Sequence, residues 1–173
     1  MNLKTEKLLK LMRFLAWIAF IGLLIKAGAI IMSFGVSVQN PEAATNLYQG
    51  MDLSRYANAS FAHYTIIVFY YILLYLLQAY IALFITKLLS AINIEKPFTQ
   101  TVVDLLNKIG YTILAVWILS IIHNAHVIGL EKYAEIDAAP FANEYIFLAG
   151  IVYVLAQLFK RGVVMQTENE LTV

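Results

Sequence analysis

Hydrophobic positions in this chain do not recur at amphipathic spacing. They run on for long stretches, and the polar positions gather between them. Four such stretches stand out, at about residues 14–34, 61–88, 102–124 and 141–159. A helix needs ~20 apolar residues, rising 1.5 Å each, to cross the hydrocarbon of a bilayer. Lipid offers no partner to a bare peptide group, so a spanning segment of this kind must be a helix that bonds its own backbone. The pattern therefore predicts an all-α fold, a polytopic membrane protein with a four-transmembrane-helix bundle in one domain.

The polar intervals set the expected boundaries. Lys4, Lys7, Lys10 and Arg13 alternate with leucines before the first span and predict a short amphipathic continuation of that helix, lying near anionic headgroups. Residues 39–60 read as an external loop, with one helical turn near Leu53–Tyr56. The second span is long enough to tilt or to project past the bilayer. Residues 90–97 form a short turn, and Thr101 with Asp104 has capping-box spacing, which starts the third helix just after Pro97. Asp104, Asn107 and Lys108 keep the first two turns of that helix out of the lipid core. A second external segment, residues 125–143, contains Glu131, Lys132, Glu135 and Asp137. The fourth helix is expected to stop at Lys160-Arg161-Gly162, leaving the tail as a mobile end or a small docking strand.

Composition sharpens this picture. Of 173 residues 61% are hydrophobic and only 13% charged, where a soluble domain carries about a quarter charged residues. There is no cysteine, which removes disulfide frameworks, thiol chemistry and cysteine-ligated metals. The length leaves no room for a soluble catalytic domain beside the helices. The first apolar run exceeds a usual signal-peptide core of ~7–15 residues and is expected to be retained as an anchor.

The net charge of +1 hides a strong asymmetry. Lys4, Lys7, Lys10, Arg13, Lys87, Lys96, Lys108, Lys160 and Arg161 fall on the side of the two chain ends, whereas only Arg55 and Lys132 fall on the other. Short loops obey the positive-inside bias. Both termini are therefore expected in the cytoplasm (N-in/C-in).

Lys26 stays inside the first span, about a dozen residues in and roughly 18 Å from its inner boundary. A lysine there costs roughly 2.5–3.5 kcal/mol on insertion scales, and no Asp or Glu lies at matching depth. Ala19, Gly22, Lys26, Ala29 and Ser33 make a stripe of small residues around it, the kind that permits close helix approach. Three readings stay open: the ammonium snorkels outward along Ser33, it joins a polar network in the bundle, or it meets a ligand. Depth-matching along the antiparallel second helix points to Tyr70 and Tyr71 at its level; Tyr64, Tyr71, Tyr75 and Gln78 share one face of that helix, and the fourth brings Tyr153 near the same level, with Gln157 a turn lower. The plainer account of the tyrosines is helix–helix packing, and the sharper one is a polar cavity for a small molecule or anion.

His63, His123 and His126 all map near the outer boundary. Three imidazoles can bind a divalent metal, but ordinary interfacial histidines are the default, so no metal, cofactor or catalytic residue is assigned. Walker, HExxH and rhomboid-like patterns are missing. The basic residues report topology, so direct nucleic-acid binding is not expected.

Two segments carry a family resemblance. NIEKPFTQTVVDLLNKIG (residues 93–110) and LAQLFKRGVVMQTENELTV (residues 155–173) resemble the DUF2975 family of small bacterial four-helix membrane proteins, whose function is not established. In the tail Phe159, Lys160, Gly162, Gln166, Glu168, Asn169, Leu171 and Thr172 fit the family pattern, and Glu170 replaces a more typical aspartate. The resemblance is taken to cover essentially the whole chain. Members are often encoded beside a small helix-turn-helix regulator, which implies the membrane half of a regulatory pair. It also directs attention to Pro97, Phe98, Lys160, Gln166, Glu168 and Asn169 as a cytoplasmic docking surface.

The expected function is that of a non-enzymatic, sensory or regulatory membrane protein, coupling the bundle to a cytoplasmic partner, with membrane lipids and a second copy of the chain as further candidate partners. The alternatives are a small oligomeric transporter or exporter of an anionic or amphiphilic solute, and a purely structural membrane scaffold.

Overall fold

The computed structural model describes residues 3–134 and 140–171. Glu135, Asp137 and Thr172 lie outside the described residues. The chain forms α1 (Leu3–Gln39), a 3-10 turn (Pro41–Thr45), α2 (Ser54–Ala59), α3 (Phe61–Ala91), α4 (Gln100–Ala134) and α5 (Tyr145–Leu171), with no strand among the described residues. Each of the four long helices contains a stretch long and apolar enough to cross a membrane.

All four outrun the spans expected from hydropathy. A charged residue ends what lipid tolerates, but it does not end a hydrogen-bond ladder. With 37 residues, α1 reaches ~55 Å at 1.5 Å per residue, well past a ~30 Å hydrocarbon layer. The expected stop of the last helix at Lys160-Arg161-Gly162 does not occur. A C-terminal glycine stop requires a left-handed residue, and among the described residues only Gln49 and Gly50 have positive φ. The tail is therefore helical to Leu171, not a strand.

The helices pack in chain order, α1 on α3, α3 on α4 and α4 on α5. Because successive long helices reverse direction, the start of α1, the α3–α4 connection and the end of α5 share one end of the molecule, called here the terminal end. The outer pair expose large apolar side chains in rows, among them Phe14, Ile18, Ile21, Ile25 and Met32 on α1 and Phe147, Ile151, Val154 and Leu158 on α5. Surface of this extent would associate in water and is at rest only against lipid.

On α1, which packs on α3, Ala16, Phe20, Leu23, Ala27, Ile30, Phe34 and Ser37 are buried or half-buried at alternating steps of four and three, the spacing of one helix face. This corrects the small-residue stripe. Ala19 and Gly22 are exposed, and a Cβ on Gly22 would meet nothing. Between α4 and α5 close approach is real, because a Cβ on Gly110 would touch Val152 at 3.6 Å.

The loop end is an ordered cap. Ala44, Leu47, Leu53 and Tyr56 are buried with Ile30, Tyr64, Ile67 and Val68, and the far end of α4 adds Val127 and Leu130. The segment after the 3-10 turn reverses through Gln49 (φ 47°) and Gly50 (φ 84°), paired left-handed residues of the type I′ pattern. Asn46 Oδ1 accepts the Gly50 N–H at 2.9 Å, and Leu53 N–H reaches Ala44 O at 2.9 Å. Asp52 accepts from the Ser54 hydroxyl and N–H (2.6 and 2.8 Å), starting α2. Those bonds, with Arg55 nearby, hold its carboxyl below the usual range.

Candidate functional site

The polar groups inside the spans fall into two neighbourhoods. The first surrounds Lys26. Its Nζ stands 4.3 Å from the ring centroid of Tyr75 on α3 and 5.8 Å from that of Tyr48, which descends from the cap. Aromatic faces attract a cation electrostatically, more so where water is excluded. The ammonium thus turns toward the loop end and lies between two rings. About three turns nearer the cap, Ser37 donates to Phe34 O at 2.7 Å, so Tyr64 OH, also 2.7 Å away, must donate to Ser37 Oγ.

The second neighbourhood joins α3, α4 and the start of α5. His123 is fully buried, and its ring stacks on Phe141 at 3.7 Å and 7°. Tyr70 and Tyr71 present their edges at 5.4 and 5.8 Å. Beside it Asn124 ties down the chain that enters α5. Its Oδ1 accepts the Phe141 N–H at 2.7 Å, and its Nδ2 donates to Phe141 O at 3.0 Å and to Asn143 Oδ1 at 3.1 Å. A single side chain thereby satisfies both backbone groups of a buried residue, which would otherwise cost heavily. His123 Nδ1 lies 3.3 Å from Asn124 Oδ1, which assigns the ring proton to Nδ1. His63 Nδ1 and His126 Nε2 are 3.0 Å apart. His123 Nε2 and His126 Nδ1 are buried without a hydrogen-bond partner. Among the described residues no group of three or more His, Cys, Asp or Glu converges so as to hold a metal.

Of the five residues expected to form an intramembrane polar site, Lys26, Tyr71, Tyr75, Gln78 and Tyr153, Lys26 and Tyr75 meet directly. Tyr71 bridges the two neighbourhoods, 6.5 Å from Tyr75 and 4.8 Å from Phe141. Gln78 turns away to donate to Tyr145 OH at 3.1 Å, linking α3 to α5. Tyr153 does not join them. It is 54% exposed on the outer side of α5, since Ala149, Val152 and Ala156 take the face against α4. Depth-matching gives a residue's height in the membrane but not its azimuth. Tyr48 and Phe141 were beyond sequence reasoning, because each reaches its place through a loop.

At the terminal end the α3–α4 connection folds against the extended part of α5. The Phe98 ring packs on Phe159 with centroids 5.3 Å apart. It sits so close to Gly162 that a Cβ there would stand 2.4 Å from Phe98 Cδ1. Glycine at this position is what admits the ring. A groove of about 790 Å³ results, in whose wall Pro97, Phe98, Gln166 and Asn169 come together. Lys160 and Glu168 are exposed outside it.

The model of one protein family, DUF2975, described as a protein of unknown function, matches residues 52–173. The match begins within the cap, so α1 lies outside it, and the resemblance does not extend over the whole chain. Neither a curated protein nor a solved structure matches.

Proposed function

The chain belongs to the DUF2975 family, and from that premise and the geometry above we propose that it is a non-enzymatic regulatory membrane protein whose bundle signals to a cytoplasmic partner. The observation that carries this reading is the continuity of α5. One unbroken helix, Tyr145–Leu171, begins beside the Asn124–Phe141 tie and ends in the groove built on Phe98. A disturbance that shifts Phe141 on His123 moves the start of a stiff rod, and the displacement is read at the other end, where Gln166 and Asn169 line the groove. The reading takes the terminal end as the cytoplasmic one in a bacterial cell, supported by the cations that crowd it and the positive-inside bias. The partner best suited to the family's setting is a small helix-turn-helix regulator.

A transport reading has less support, since the cation that would attract an anion already faces the rings of Tyr75 and Tyr48. The test is retention of a cytoplasmic partner by tagged protein extracted from membranes. Wild type should retain the regulator. Phe98→Ala and Gly162→Ala should lose most of it while remaining folded and membrane-inserted, because the first removes the ring and the second drives it from its seat. Equal recovery from all three, or none from wild type, leaves a structural scaffold as the better account.

A further inference from the structure

Three helices present the same spacing of side chains to one opening at the terminal end. Lys10, Arg13, Phe14 and Trp17 lie on one face of α1. Leu83, Thr86, Lys87 and Ser90 lie on one face of α3, and Thr101, Asp104, Leu105 and Lys108 on one face of α4. Steps of three, four and seven put each set on one side of its helix. They enclose a space of about 960 Å³ with α3 as its floor. Because α1 and α4 both pack on α3 and share no packed interface with each other, the space opens sideways, toward the bilayer.

Its charge is unbalanced. Lys10, Arg13, Lys87 and Lys108 surround it, and Asp104 is the one carboxylate in its wall. Asp104 accepts from the Gln100 amide at 2.8 Å, and none of the four cations forms an ion pair among the described residues. Arg13 is held by its bond to Ser90 Oγ at 3.3 Å, while Ser90 gives its own proton to Thr86 O, so the guanidinium stays fixed across the α1–α3 gap with further N–H groups to offer. Four like charges on three separate helices repel one another unless an anion sits among them. Between the cations the wall is apolar, through Phe14, Trp17, Leu83 and Leu105. A wall that joins cations to large apolar side chains matches an amphiphile, with its phosphate among the cations and its chains leaving through the side opening. A free phosphate has no use for the apolar part of the wall.

We propose that this opening is a binding site for an anionic phospholipid, whose headgroup phosphate is held by Arg13, Lys87 and Lys108. Basic pockets between helices at a membrane boundary are suited to such headgroups. The site is separate from the groove at Phe98 and does not depend on the regulatory reading.

Trp17 provides the readout, since the chain has two tryptophans and Trp117→Phe leaves Trp17 alone. Full-length protein in a neutral detergent is titrated with brominated phosphatidylglycerol and, separately, with brominated phosphatidylcholine. Trp17 should be quenched by the anionic lipid at about a tenfold lower mole fraction. Arg13→Gln with Lys87→Gln should remove most of that preference. Lys160→Gln with Arg161→Gln, which deletes the same charge at the same end but outside the opening, should change it by less than about twofold, as expected for distant, screened charge. If the Arg13/Lys87 pair does not fold, Lys108→Gln alone should lower the preference by about threefold. Equal quenching by the two lipids overturns the proposal. Equal loss in the control pair also overturns it, because the attraction is then diffuse. Competitive displacement of the lipid by inorganic phosphate does so too, since the site is then one for the free ion.

Discussion

An ammonium stripped of water has few ways to recover its solvation inside a bundle, and Lys26 uses aromatic faces. Its place in the span and the tyrosine stripe opposite are both visible in the sequence, since depth follows from counting and a helical face from spacing. Tyr48 is not visible, because its loop takes shape only when Leu47 and Leu53 are buried under it. The contact has a measurable consequence. Exchanging Lys26→Met and Tyr75→Leu singly and together should give a coupling of about 0.5–2 kcal/mol in detergent unfolding, the range for a partly desolvated cation over a ring. Lys26→Met alone should be stabilising, by about 0.5–3 kcal/mol, because the attraction lost is smaller than the insertion cost of roughly 2.5–3.5 kcal/mol that is relieved. A coupling indistinguishable from zero would mean that the ammonium rests elsewhere, as in the snorkelling account.

The elements obey a different logic from the residues on them. Hydropathy marks where lipid begins, so four spans were legible, and helix ends were not. The third helix was expected to end at Asn124, a residue that favours caps. In α4 that side chain instead points across to Phe141, and the helix runs on to Ala134, with Val127 and Leu130 buried in the cap. A long-range tie of this kind leaves no local signature. Its weight can be predicted from what it satisfies. Asn124→Leu keeps the size of the side chain and abandons the N–H and C=O of buried Phe141, at a cost of about 2–4 kcal/mol. Unfolding should shift accordingly, and exchange of the Phe141 amide with deuterium should accelerate while amides in the middle of α3 hold. An unchanged Phe141 amide would show that the tie is dispensable and would remove the first link of the α5 lever.

At the scale of the whole molecule the charges bear on an orientation that the helices leave open. A row of antiparallel spans is compatible with either orientation, and the same packing would serve both. The proposed orientation rests on the asymmetry: Lys7, Lys10, Arg13, Lys87, Lys96, Lys108, Lys160 and Arg161 belong to the terminal end, against Arg55 and Lys132 at the cap. Moving the larger set across a membrane opposes the bias that governs short loops. The absence of cysteine makes the outcome easy to read, since any thiol introduced is the only one. Glu42→Cys in the cap should react with a membrane-impermeant maleimide on intact cells. Ile94→Cys in the α3–α4 connection and Thr167→Cys on the far part of α5 should react only after the membrane is opened. The two terminal-end positions lie on different segments, so one chain inserted as described must protect both together. Labelling of Thr167→Cys from outside would invert the molecule, remove the Phe98 groove from reach of any cytoplasmic protein, and place the basic opening in the outer leaflet.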